Sequence, residues 1–419
     1  MDAGEEADMK QYLRAAAVAL SLCLLVGCTH FTQEGETLSA STSSVVTAAT
    51  SPYTEVTPKN DYASLPSDAC RSLYDAIDKI AGGISDQQNE KGYPLKAAFV
   101  HEELSESEIG RTVMAYLNDH PESFWISNVY TYTVTGENVR VQLYSRLSAS
   151  QRDADQQALN AAVREILAQV PANLSELDRE DAVFEALADR CVYDNAAVQS
   201  HDQQSWVSHT AYGALVQKKA TCDGYARAMQ LLCSKVGLQC RLVNGQGKGE
   251  AHLWNLIRID GAWYHFDATW MDNDEMRVYH YFNLTDAQIQ QDHTISPVDG
   301  PLEDCNLPMD PANSTAANYY AARAQQIDAL DAKTKQSVAQ ALVETANIGR
   351  EALGLHIGQS LDFQDTVEKL FQGAPYFFQA CVARANTALP NGKKLDYARM
   401  RFSTVELQRG ISVQLAYKK

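Results

Sequence analysis

The sequence predicts an α+β protein with a central module between two small α+β flanking modules, and three observations carry that prediction. The chain has 419 residues, 45% of them hydrophobic and 21% charged, which is globular composition with enough apolar mass for two or three domains. Residues 68–174 read as helices around a β-hairpin. From about Glu176 to Cys305 the pattern changes to helices followed by short strands, and the residues capable of chemistry gather there.

Charge and cysteine content narrow the function. A formal net charge of −18 repels phosphate backbones and anionic headgroups, so no nucleic acid is expected as partner. Nine cysteines without a C-x-x-C pair give neither a dense disulfide framework nor a zinc-ribbon spacing.

The first segment is read as a targeting signal, residues 1–28. Ala15 to Gly27 is apolar apart from Ser21 and follows Arg14. It is too short for a mature membrane span but suits a signal core. The acidic Met1–Asp8 stretch has the wrong sign for a signal start, so Met9-Lys10 is the expected one. Leu25-Val26-Gly27-Cys28 resembles the lipobox of bacterial lipoproteins, which implies lipidation at Cys28 and an extracytoplasmic protein anchored to the bacterial cell membrane by lipid alone. Residues 29–67, rich in Ser and Thr with no sustained period, are expected to form a tether.

The elements then follow in order. Ala69 to Ile80 has helical spacing and ends at Gly82-Gly83. A second helix spans about Glu106 to Asn118, before Pro121. Ser127 to Val134 and Val139 to Leu147 alternate around Gly136-Glu137-Asn138 and predict a hairpin, with a helix from Ser150 to about Val170 beyond. This block, 68–174, carries no catalytic constellation, and its Phe124-Trp125 pair reads as core.

In the central module, 175–305, Tyr225, Met229, Leu232, Cys233 and Val236 recur at helical intervals, with Gly237 as the C-cap. Cys222 thus stands at a helix start, where unpaired N–H groups and the dipole favour a thiolate. Leu238 to Val243 reads as a strand, Gly245 to Gly249 as a loop, and Ala251 to Ile259 and Ala262 to Asp267 as strands joined by an Asp260-Gly261 turn. With those two residues as the turn, Ile259 faces Ala262 and Trp254 faces Asp267. His252 shares that face, because side chains alternate along a strand. His252 and Asp267 become diagonal neighbours, roughly 7–8 Å apart at the backbone, and a slip of one residue would separate them. A thiol, an imidazole and a carboxylate are the parts that nucleophilic catalysis needs.

After Pro308 and Pro311, residues 306–419 read as an accessory α+β module. Its expected elements are helices over Thr315–Leu330 and Leu361–Phe371 and strands near Leu353–Ile357, Tyr397–Phe402 and Ile411–Tyr417.

Cys222-Asp223-Gly224-Tyr225-Ala226, His252-Leu253-Trp254-Asn255 and Trp263-Tyr264-His265-Phe266-Asp267-Ala268-Thr269-Trp270 resemble the three motifs of the transglutaminase-like superfamily, in papain-like order. The Tyr281–Asp286 run with His293 beyond it, and more weakly the Asp119–Glu122 turn with Phe124-Trp125, are similar to secreted bacterial members. The resemblance covers about Ala211 to His293. It implies a nucleophile helix packed on an antiparallel sheet, with Cys222 as nucleophile, His252 as general base and then acid, and Asp267 as orienting carboxylate. Trp254, Asn255, Tyr225 and Asp223 would wall the site. The oxyanion would meet the Cys222 N–H and a second donor, with Gln203, Gln204, Trp206 and Tyr212 as candidates.

The implied reaction passes through a thioester, on a protein or peptide substrate at the cell surface or wall. Hydrolysis is favoured, with crosslinking by an amine or a non-catalytic binding module as alternatives. No cofactor is expected. A zinc set from Cys222, Cys233, Cys240 and His252 lacks ligand spacing, and no acidic calcium loop occurs. Cys233 and Cys240 read as packing residues. Cys70, Cys191, Cys305 and Cys381 allow a disulfide outside the cytoplasm, its pairing open.

Overall fold

The computed structural model describes residues 52–199, 205–273, 276–295, 307–373 and 376–418. Cys28 with its apolar segment, the tether as far as residue 51, Gln203, Gln204 and Cys305 lie outside them.

The predicted tether is shorter than expected. Residues from 52 onward are packed on the folded chain: the Val56 N–H donates to the Ser234 carbonyl at 2.9 Å. Asp61 is buried and ion-paired with the buried Arg241 at 2.9 Å. Pulling 52–67 into solvent would leave that guanidinium buried without its main partner, at several kcal/mol. Residues 52–67 therefore belong to the folded part of the chain.

Helices α1 (Asp68–Ile80) and α2 (Glu106–Asp119) start at serine caps. Ser67 accepts from the Cys70 N–H, and Ser105 and Glu108 form a reciprocal capping box, which satisfies N–H groups that a helix start leaves open. Strand β1 (Ala98–His101) and the hairpin β2 (Ile126–Thr135) and β3 (Asn138–Ser145) form one sheet with β3 between the other two. Helix α3 (Ala149–Leu167), capped by Ser148, follows. Phe124 and Trp125 are buried here, as expected.

In the central segment α4 (Glu176–Ala188) leads to two short parallel strands, β4 (Val192–Tyr193) and β5 (Lys219–Ala220). Then come α5 (Cys222–Lys235), β6 (Cys240–Gly247), β7 (Glu250–Ile259) and β8 (Ala262–Phe266), and later β9 (His293–Ile295). They form an antiparallel sheet in the order β9-β6-β7-β8. Asp260 and Gly261 adopt left-handed backbone, φ 48° and 87°, as a type I′ turn requires. Ile259 faces Ala262 and Asn255 faces Phe266, the predicted register. The predicted Gly245–Gly249 loop is corrected: Gly245 to Gly247 is strand, because it pairs with β7 on one side and β9 on the other. Pairing on both edges outweighs the low strand propensity of glycine.

The C-terminal segment contains β10 (Gln325–Ile327), α6 (Ala332–Ile348), β11 (Ala352–Ile357), α7 (Phe363–Phe371), α8 (Phe377–Ala388), β12 (Arg401–Val405) and β13 (Gly410–Gln414), with sheet order β10-β11-β13-β12. The helix expected over Thr315–Leu330 is replaced by one short turn of helix, Tyr319–Ala322, and by β10, whose pairing with β11 claims the backbone groups a helix would use. The long helix starts later, where Asp331 accepts from the Thr334 N–H. Strand β12 starts at Arg401 rather than Tyr397, because Tyr397–Arg399 is a 3₁₀ turn capped by Asp396.

One continuous core runs from Leu65 through most of the central segment and takes in Ala317, Tyr319, Tyr320, Ala324 and Ala352; Trp254, Val243 and Leu256 pack in a smaller cluster with Leu284 and Ile289, and most C-terminal elements enclose a core of their own. Among the described residues no helix is long and apolar enough to cross a membrane, and Cys70, Cys191 and Cys381 are free and buried.

Candidate active site

Cys222 is the first residue of α5 and is 9% exposed. Thr221 before it makes no capping bond to the helix; its hydroxyl lies instead by Ser208 O and His209 Nδ1, at 3.2 and 3.1 Å. The thiol donates to Asp223 Oδ1 at 3.2 Å. Burial, and then the negative Asp223, push the Cys222 thiol well above the ordinary range. Desolvation and one adjacent carboxylate thus act against the helix dipole, which by itself favours a thiolate. Burial opposes the Asp223 charge, but a hydrogen bond from His209 holds its carboxyl below the usual range.

His252 and Asp267 meet as the hairpin register requires. His252 Nε2 donates to Asp267 Oδ2 at 2.8 Å, with both side chains buried. Asp267 Oδ1 accepts the Thr269 and Trp270 N–H groups at 3.0 and 3.2 Å, capping the short helix Ala268–Met271. Against the cost of burial, His252 and then His293 bring the Asp267 carboxyl down to about 2. Burial opposes the His252 charge too, yet Asp267 raises its pKa. Nε2 is thereby committed to the carboxylate. The thiol and the imidazole share electrostatic neighbours: Asp267 acts on Cys222, Asp223 acts on His252, and the N–H of Leu253, the residue after His252, faces the sulfur.

The other expected site residues divide. Trp254 stacks beside His252, with ring centroids 6.0 Å apart, and its indole N–H donates to His265 Nδ1 at 3.0 Å. His265 Nε2 in turn donates to Asp286 at 2.8 Å. Asn255 lies on the opposite face of β7 and donates to the Ala226 carbonyl at 2.9 Å, so it ties the sheet to α5 and does not line the imidazole. Tyr225 turns into the core, its hydroxyl donating to Asp272 at 2.8 Å; it too lies away from His252. Asp223, with a side chain 41% exposed, remains at the sulfur.

Of the oxyanion candidates, Tyr212 is displaced. Its ring stacks on Phe124 at 4.7 Å and its hydroxyl donates to Asp155 at 3.2 Å, which orients it toward α3. Trp206 lies under the Arg146 guanidinium. Tyr193 was missed by sequence reasoning. Strand β4 sets it opposite Ala220, two residues before Cys222. Burial and the charges of Cys222, Asp223, Glu250 and Asp267 push its hydroxyl up to about 12. Nothing local marks this tyrosine, since only the parallel β4–β5 pairing brings it to the site.

His293 also reaches Asp267, its Nε2 lying 3.2 Å from Oδ2. His252, Asp267 and His293 offer ligand atoms within 4.8 Å of one another, a spacing that a divalent cation can use. In this structure the same atoms hydrogen-bond one another.

Residues 161–268 match the family described as the transglutaminase-like superfamily. The kyphoscoliosis peptidase of Mus musculus is 29% identical over 143 residues, 31% of this chain and 21% of that protein; the Homo sapiens protein is 31% identical over 108 residues, 23% and 16%. The chain thus spans about a fifth or less of the length of these curated relatives. Among solved structures, a TGase covers 44% of this chain and 54% of its own, at 14% identity and a TM-score of 0.27. A proposed cysteine protease from Cytophaga hutchinsonii covers 44% and 70%, at 12% identity and a TM-score of 0.22.

Proposed function

We propose that this chain, which carries a transglutaminase-like domain, is a cysteine-dependent acyl-transfer enzyme acting on peptide or carboxamide carbonyls, with water as the preferred acceptor. The observation that carries the reading is the His252–Asp267 hydrogen bond of 2.8 Å beside a cysteine at a helix start. His252 Nδ1 takes the Cys222 proton as the sulfur attacks the carbonyl carbon. The oxyanion is met by the Cys222 N–H and the Tyr193 hydroxyl. His252 then protonates the departing amine, leaving a thioester, and removes a proton from the water that cleaves it. Asp267 stabilises the imidazolium between these steps.

The raised thiol pKa supports a neutral resting pair, in which the proton passes to His252 as the sulfur attacks. Kyphoscoliosis peptidase, by its name, supports hydrolysis; crosslinking is the second reading, since the same acyl-enzyme serves an amine. We further place the enzyme outside the cytoplasm, anchored through lipid on Cys28, on the strength of the Leu25–Cys28 motif. Loss of lipid labelling in a Cys28→Ala chain checks this, and retained labelling refutes it.

The reaction is tested by incubating the chain with a glutamine-containing protein and a fluorescent primary amine. Release of ammonia or peptides without amine incorporation is expected; efficient incorporation would assign crosslinking instead. Cys222→Ala and His252→Ala should abolish turnover, and Tyr193→Phe should lower kcat by about 10²-fold. Turnover that survives Cys222→Ala would refute the enzyme reading.

A further inference from the structure

We propose that His293 is a positioning residue: it completes the clamp that holds Asp267 square to His252. The proposal rests on the reading of Cys222, His252 and Asp267 as the reacting set. Asp267 has two oxygens, and Oδ1 is already occupied by the Thr269 and Trp270 N–H groups. Oδ2 accepts His252 Nε2 at 2.8 Å and His293 Nε2 at 3.2 Å. With four donors on two oxygens, the carboxylate cannot pivot without losing a bond, and each lost bond would leave a buried charge short of a partner. Without His293, the oxygen that orients the base has a single donor and freedom to rotate.

The rest of the surroundings explains why the donor is a histidine. His293 Nδ1 is 2.7 Å from Asp292 Oδ1, and Asp292 Oδ2 accepts the Tyr281 hydroxyl at 2.6 Å. Both ring nitrogens therefore face carboxylate oxygens, which only accept, so both bonds are made when both nitrogens carry hydrogen. The ring is fully buried among three aromatic faces: Trp270 at 4.4 Å, Trp254 at 5.0 Å and Tyr281 at 5.4 Å between centroids. Strand β9 delivers it by pairing His293 with Gly247, on the strand that also pairs Gly245 with His252. The line His252, Asp267, His293, Asp292, Tyr281 is thus continuous through side chains from four separate segments of the chain.

The test uses the full chain and iodoacetamide, which alkylates the Cys222 thiolate with release of iodide. The rate at Cys222 is read by mass spectrometry across pH. His252→Ala and Asp267→Asn set the baseline for a misdirected base, and thermal midpoints report folding. His293→Leu should slow Cys222 alkylation near neutral pH by about tenfold and move the pH profile toward that of His252→Ala. His293→Gln, whose amide nitrogen reaches the place of Nε2, should recover most of the rate.

A His293→Leu chain that alkylates with the wild-type rate and profile, while Asp267→Asn is slowed, overturns the proposal and leaves the catalytic reading standing. An unchanged rate in His252→Ala overturns both. If His293→Leu does not fold, the amide pair decides. Asn reaches only the place of Nδ1, so it should be slow where Gln is fast, and equal rates sink the proposal.

Discussion

At the residue scale the chemistry is set by which charges face the sulfur. Asp223 sits one residue from Cys222, accepts its S–H at 3.2 Å, is half-exposed toward solvent and, after burial, is the main cause that raises the thiol pKa. Replacing Asp223 by Asn removes the second-largest cause of the raised thiol pKa while burial, the largest, remains. The pH at which Cys222 alkylation reaches half its maximal rate should therefore fall in Asp223→Asn without reaching that of an exposed cysteine. A midpoint that rises instead would show that Asp223 assists ionisation. The motif Cys222-Asp223-Gly224 was legible in the sequence, but the direction of this effect was not. The helix dipole can be read from spacing, whereas desolvation depends on what the rest of the chain lays over the thiol.

At the element scale the site is a property of strand pairing. The Asp260-Gly261 turn fixes the β7–β8 register, and this could be read in advance because two-residue hairpins with Asp-Gly leave little choice of turn. The β6–β9 pairing could not be, since its partners are 46 residues apart at His293 and Gly247 and no local signal links them. Gly247 shows what that pairing demands. A Cβ there would lie 2.7 Å from the Trp270 ring and 3.3 Å from the His252 ring. Gly247→Ala should therefore displace Trp270 first and the imidazole with it. We expect turnover to fall by about 10²-fold, as misplacement by an ångström can, with the circular dichroism spectrum retained. Full activity in that variant would show that the rings have room to yield. The same reasoning explains Tyr193: its contribution passes through two short parallel strands that sequence periodicity is too brief to reveal.

At the scale of the whole molecule, α4 joins the central sheet to the C-terminal segment. Asp181 is fully buried and pairs with Arg323 at 2.9 Å and with Arg350, while the Tyr279 and Tyr319 rings stack at 3.7 Å. Glu180 lies beside them, buried, with Asn283 donating to its Oε2 at 2.6 Å and, among the described residues, no partner for Oε1. Burial raises its carboxyl to about 8. The folded chain thus holds a proton that the unfolded chain releases above about pH 4.3, so Glu180 makes stability decline as pH rises from there to about 8. Glu180→Gln should stabilise the protein near pH 8 by about 1–3 kcal/mol and have little effect below pH 4. Denaturant titrations at the two pH values measure this, and a variant less stable at pH 8 would show that Glu180 is held as a charge.

Sequence by itself determined the nucleophile's helix, the hairpin, its register and hence the pairing of His252 with Asp267. It also fixed the α+β class, because short-range periodicity and turn chemistry are written in neighbouring residues. Tertiary structure alone decided that Tyr193 and His293 join the site, that Asn255, Tyr225 and Tyr212 turn away from it, and that burial and Asp223 raise the thiol pKa. Those outcomes depend on long-range strand pairing and on burial, and both are properties of chain segments brought together from far apart.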